Sequence, residues 1–164
     1  MQRKQGDCKK EEGFPQPQVT SSSLQENHTS LGCLNENKEV IWAIDGMPQR
    51  IMEAEMGMVT YLHTPPFFTH QYGYKIVLHL FVNSNGYISF FMTIIRGEYD
   101  DRLRWPFKNT VTVTLVDQDN KYNVSCDIEP TPCSPSFRKP KSEVNNGAGS
   151  VSYTHLTLPT KRIV

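Results

Sequence analysis

At 164 residues, with 17 basic against 17 acidic side chains and both signs scattered along the chain, the sequence offers no concentrated surface for a phosphate backbone or an anionic lipid. No apolar run reaches the roughly 18 to 20 residues of a spanning helix, and Met1 to Gly13 is too polar for a secretory leader. The expectation is a cytoplasmic protein that neither binds nucleic acid nor inserts into a membrane.

Residues 1–38 consist mainly of Lys, Glu, Gln, Ser, Asn and Pro, with Phe14, Val19, three leucines and two cysteines as the apolar points. That is too little apolar surface to offset chain entropy, so a disordered polar arm is expected. It has no heptad that would form a coiled coil. From Glu39 the pattern changes to short apolar runs divided by turn residues: Val40 to Ile44, Met58 to Leu62, Lys75 to Val82, Tyr87 to Ile95 and Thr110 to Val116. Each is expected as a strand. Val111, Val113 and Leu115 alternate with Thr110, Thr112 and Thr114, which is the period of two that one buried face requires. Asn85-Gly86 between two strong runs signals a hairpin turn. Beyond a short turn at Asp100 to Leu103 no helix is expected, and the fold class is an all-β antiparallel sandwich.

Arg96 to Phe107 reads RGEYDDRLRWPF and follows directly on the longest strand pattern. Pro106 removes a backbone donor and ends a regular element, while Trp105 and Phe107 beside it are suited to capping a core. Cys8, Cys33, Cys126 and Cys133 have neither the paired spacing of a zinc site nor the density of a disulfide frame, and are expected as free thiols. The five histidines form no HExxH, and GxSxG, GxxxxGK and GxGxxG are absent. Neither catalytic residues, nor a metal, nor a cofactor is expected. Asn27-His28-Thr29 and Asn123-Val124-Ser125 fit the glycosylation sequon, but nothing at the N-terminus supplies the secreted context it needs.

Ser150 to Thr160, SVSYTHLTLPT, back-translates through GTC TCT TAT ACA CAT CTG, which resembles a transposase sequencing adapter. Residues 150–164 are therefore expected to be a translated library artefact, not native sequence. Amplifying the 3′ end of the transcript tests this: genomic DNA is expected to lack the codons for Val151 to Val164, and finding them there overturns the reading.

The RGEYDDRLRWPF run resembles the RGEYD and WPF segment of the C-terminal MATH domain of the TNF-receptor-associated factors, the TRAF family of cytoplasmic adaptors. Val40-Ile41-Trp42, Ile44, Glu53-Ala54, Pro66-Phe67-Phe68-Thr69, Tyr72-Gly73-Tyr74-Lys75, Asp117-Gln118, Ser136-Phe137 and Lys139-Pro140 carry the resemblance to either side. It spans residues 39–149, about two thirds of the chain. It implies an eight-stranded MATH sandwich whose last strands are missing here, and a family homotrimer whose coiled coil is not seen in this sequence. The RING that gives some members ligase activity is likewise not seen, so the resemblance implies a binding module and no enzyme.

In that family each domain binds a short extended peptide from a receptor tail by strand addition, main-chain bonds giving affinity and pockets giving specificity. Carried over by the resemblance, the peptide-binding residues are His79, Phe81, Asn85, Phe91, Ile128, Ser134, Ser136 and Phe137. Ser134-Pro135-Ser136 stands where three serines hold the peptide glutamine, so two of three hydroxyls remain and Pro135 supplies no donor. Phe91, Ile128 and Phe137 stand where the family lines a small apolar pocket; Phe90 and Phe91 point to opposite faces, and the resemblance picks Phe91. His79, Phe81 and Asn85 replace the Arg, Tyr and Asp of the charged end of the groove, Ala148 replaces its last serine, and the turn after Gly86 is about five residues shorter than in many members. A weaker or altered taste for a glutamate after the glutamine is implied.

The implied function is a signalling adaptor binding receptor or adaptor cytoplasmic tails of the TNF-receptor and Toll-like pathways. The alternatives are a substrate-recognition MATH module of a ubiquitin-pathway enzyme or cullin adaptor, or a truncated product without function.

Overall fold

The computed structural model describes residues 29–32, 39–58, 60–82, 87–116, 123–131, 133–145 and 152–155. Its centre is the antiparallel pair β5 (Lys75–Val82) and β6 (Tyr87–Ile95), in register from Lys75↔Ile95 to Val82↔Ile88. Alternation decides which way each side chain faces. Ile76, Leu80 and Val82 on β5, and Ile88, Phe90, Met92 and Ile94 on β6, are buried on one face. Outside β5 lie β3 (Thr60–His63) and the two-residue β4 (Phe67–Phe68), both antiparallel to it. Pro65-Pro66 separates them, because proline cannot donate to the ladder.

The second layer is the pair β7 (Val111–Leu115) and β8 (Val124–Ile128). The alternation read from the sequence holds here. Val111, Val113 and Leu115 turn inward, while Thr112 donates to Asp127 at 2.7 Å and Thr114 sits 2.8 Å from the Ser125 hydroxyl on the exposed face. The layers meet in two apolar clusters. One gathers Ala54, Leu62, Leu80, Val82, Ile88, Phe90 and Cys126; the other gathers Ile76, Met92, Ile94, Phe107, Ile128 and Phe137. The architecture is the expected all-β antiparallel sandwich.

One expectation needs correction: Met47–Glu55 forms an α-helix, α1, where no helix was foreseen. Its signals are in the sequence. Pro48 sits in the first turn, where a missing N–H costs nothing, and Met47, Ile51 and Ala54 fall at helical spacing on the face that packs against the first cluster. Gly57 closes it at φ 84, with Gly57 N–H donating to Ala54 O and Met58 N–H to Glu53 O, the paired bonds of a Schellman cap. The helix displaces the start of the following strand, expected at Met58, to Thr60.

Two further short strands lie in stretches expected to lack native order. Thr29–Leu31 (β1) falls within the arm and pairs with β2 (Trp42–Ile44). Ser152–His155 (β9) falls within the suspected adapter tail and pairs with β6, Tyr87↔His155 to Phe90↔Ser152. The expected Asn85-Gly86 turn lies outside the described residues, though the register of β5 with β6 closes toward it.

The RGEYDDRLRWPF run is a strand exit, as its proline suggested. A 3₁₀ turn at Asp100–Arg102 follows β6, Gly97 N–H donates to the buried Asp100 carboxylate at 3.0 Å, and the Trp105 indole donates to Asp100 O at 2.8 Å. Tyr74 packs edge-on against both Trp105 and Phe107, and its hydroxyl donates to Arg104 O. Phe107 N–H then donates to Phe137 O at 2.8 Å, which ties this exit to the loop carrying Ser134 and Ser136. Gly73 of the Tyr-Gly-Tyr-Lys motif is required by space: a Cβ there would lie 2.3 Å from Thr69 Oγ1 and 2.8 Å from His70 N.

Candidate functional site

Because inward positions on β3, β5 and β6 are taken by the core, the intervening residues share the outer face of this sheet. The register sets His63, His79 and Phe91 in one row across the three strands, and Tyr61, Phe81 and Ser89 in the next. Strand-borne rings therefore meet. Tyr61 and Phe81 have centroids 4.8 Å apart, Phe81 and Phe91 5.1 Å apart and nearly perpendicular, and Tyr61 stacks on His79 at 5.8 Å. Edge-to-face and offset contacts of this kind stabilise an aromatic row beyond the area it buries.

The polar atoms of the row are engaged with one another. The Tyr61 hydroxyl lies 2.7 Å from His79 Nδ1, and His79 Nε2 lies 2.9 Å from Thr93 Oγ1. A neutral imidazole donates from one nitrogen and accepts at the other, so both partners are satisfied without a charge. Burial, and secondarily the nearby His63, lowers the His79 pKa from its ordinary 6.5 to about 4. Burial also pushes the Tyr61 phenol up. His63 Nδ1 donates to Thr64 O at 3.0 Å. At neutral pH the two rows thus present ring faces with no Asp, Glu, Lys or Arg among Tyr61, His63, His79, Phe81, Ser89 and Phe91.

Of the residues expected to bind, His79, Phe81 and Phe91 are brought together on this face, and Phe90 is buried on the other side. Asn85 and Ala148 lie outside the described residues. Ile128 and Phe137 are placed elsewhere: they are 0 % and 1 % exposed inside the second cluster, against the inward side of β5 and β6. The reason is alternation on β8, where Ile128 is the inward partner of Val111, and the size of Phe137, whose burial with Phe107 closes the sandwich end.

Ser134 and Ser136 are 7 % and 4 % exposed. Ser134 opens a 3₁₀ turn, Pro135–Phe137, and its hydroxyl accepts from Ser136 N–H at 3.3 Å. Asn145 donates through Nδ2 to both Ser136 O and Arg138 O, while Arg96 N–H donates to Glu143 O and Asn145 N–H to Ile94 O. These bonds hold the serine loop beside the end of β6. Sequence reasoning missed Tyr61, His63, Thr93 and Asn145. The first three could have been found by carrying the β5 alternation across to its neighbours; Asn145 had no local signal.

Comparison with known proteins places this sandwich. The sequence profile described as TRAF/meprin, MATH domain matches residues 59–163. The chain belongs to the TRAF/meprin MATH domain family. The matched range takes in residues 150–163 of the suspected adapter tail. Among curated relatives, human TNF receptor-associated factor 1 is 40 % identical over 114 residues, covering 66 % of this chain and 27 % of the relative. Human TNF receptor-associated factor 2 is 34 % identical over 114 residues, covering 66 % and 23 %. TNF receptor-associated factor 6 of Danio rerio is 28 % identical over 148 residues, covering 85 % and 27 %. The MATH chain therefore spans about a quarter of the length of these relatives. A solved structure of Notothenia coriiceps TRAF5 superposes with a TM-score of 0.49 at 20 % identity, covering 63 % of this chain and 66 % of that one. Among the described residues no cluster of His, Cys, Asp or Glu could hold a metal ion, and no helix is long and apolar enough to cross a membrane.

Proposed function

We propose that this MATH domain is the recognition module of a cytoplasmic signalling adaptor, binding extended tail peptides of TNF-receptor-type or adaptor proteins. The observation that carries the reading is the outward cluster of rings Tyr61, Phe81 and Phe91, spanning two adjacent rows of a sheet face that would ordinarily be polar. An extended ligand gains main-chain bonds from a sheet edge and specificity from such side chains. The serine loop stands beside β6 to receive a polar group, with Ser136 tied through its carbonyl to Asn145 and Ser134 tied to Ser136 N–H. Recognition of this kind requires no catalytic group, and the domain acts without turnover. Short peptides bury little surface, so single-site affinity is expected to be weak.

Titration of a fluorescent Pro-x-Gln-x-Thr peptide tests this directly, compared with a peptide bearing Glu after the Gln. Binding is expected, with no preference for the Glu peptide, because His79 and Phe81 offer no cation to its carboxylate. Phe91→Ala is expected to weaken binding about tenfold or more by removing one of the few anchoring rings. A strong Glu preference, or an unchanged affinity in Phe91→Ala, overturns the reading.

A further inference from the structure

Resting on that peptide-binding reading, we propose that β3 contributes a subsite of its own: Tyr61 and His63, closed underneath by His79 and Phe81, select an uncharged ring-bearing side chain of the ligand and reject an acidic one. β3 is the outermost strand on this side of the sheet among the described residues, so a ligand crossing β5 and β6 on the outer face next meets its side chains. Tyr61 remains 36 % exposed although its ring touches three others, His63 at 5.7 Å, His79 at 5.8 Å and Phe81 at 4.8 Å. It is a ring shelf with an open side.

The chemistry of the occupant follows from what the shelf leaves available. Tyr61 Oη and both His79 nitrogens are engaged with one another or with Thr93, and His63 Nδ1 with Thr64 O, so the shelf presents chiefly π-faces and ring edges. A carboxylate laid there loses water and finds no cation in return, since His79 is neutral at physiological pH and neither strand places Lys or Arg in these rows. A lysine or arginine finds ring faces but no carboxylate to complete the pairing. An aromatic ring or a proline loses little hydration and gains stacked or edge-on contacts with Tyr61 and Phe81. Charge complementarity thus favours a neutral ring over either ion.

The test uses the full 164-residue chain and four peptides identical except at one position C-terminal to the Gln, carrying Tyr, Leu, Glu or Arg. Wild type is expected to bind the Tyr peptide about tenfold more tightly than the Glu or Arg peptide, and several-fold more tightly than the Leu peptide. Tyr61→Ala is expected to compress all four affinities to within about twofold of one another. Tyr61→Phe keeps the ring and loses only the hydroxyl, so it is expected to retain the ranking; its thermal melt, with that of Tyr61→Ala, shows that both variants fold. An equal or higher affinity for the Glu, Arg or Leu peptide in wild type overturns the subsite, as does an unchanged ranking in folded Tyr61→Ala. If no peptide binds wild type, the peptide-binding reading itself fails and the subsite with it.

Discussion

Truncating Phe137 to alanine is expected to destabilise the domain by about 3 to 5 kcal/mol, and Ile128→Ala by about 2 to 5 kcal/mol. Both side chains are buried within one cluster, at 1 % and 0 % exposure, with Ile76, Met92, Ile94 and Phe107 around them. Each truncation removes apolar surface from a packed interior and leaves a cavity that the two sheets, held apart by their own backbones, close only in part. Loss of this size is comparable with the whole stability margin of a small domain, about 5 to 15 kcal/mol. Urea unfolding followed by tryptophan fluorescence will report it as a large fall in midpoint at unchanged slope. Phe91→Ala provides the contrast: on the half-buried outer face, it is expected to cost no more than about 1.5 kcal/mol while weakening peptide binding. The reverse pattern, a stable Phe137→Ala that has lost peptide, would put Phe137 in the groove and Phe91 in a structural role.

What could be read from the sequence follows how local each cause is. The inward and outward sides of β7 were legible because Val111, Val113 and Leu115 alternate with Thr112 and Thr114 and the partner strand offers Ser125 and Asp127 to the threonines. The strand exit at Trp105-Pro106-Phe107 was legible because proline acts on its own backbone. Helix α1 was overlooked because Met47, Ile51 and Ala54 form a narrow stripe in a segment where strands were already expected on either side. Ile128 and Phe137 were assigned to a groove by position in a family pattern, whereas their burial depends on the facing layer, which no local pattern states. The ring row is the same kind of fact: Tyr61, His79, Phe81 and Phe91 are separated in sequence, and only the register of β3 with β5 and β5 with β6 makes them neighbours.

Below neutral pH the same row is expected to make the fold sensitive to acid. In the unfolded chain His79 takes up a proton near 6.5, whereas in the folded chain burial and the adjacent His63 delay this until about 4. Between these values the unfolded ensemble binds more protons, so unfolding free energy rises with pH across the window. Stability contributed by the neutral ring is fully present above about 6.5 and is lost progressively as pH falls toward 4. The whole interval corresponds to about 3 kcal/mol at 1.36 kcal/mol per unit. Because the ring is only half-buried and water reaches part of it, about 1 to 2 kcal/mol is the expected loss. His79→Gln retains a donor and an acceptor for Tyr61 and Thr93 and removes the titration. Thermal melts of the two proteins from pH 7.5 to 4.5 should therefore diverge, wild type falling by several degrees more than the variant. Carboxylates elsewhere titrate in both proteins and cancel in the difference. Parallel curves would mean that His79 is protonated as readily in the folded sheet as in the unfolded chain, and that the outer face carries a cation in acid after all.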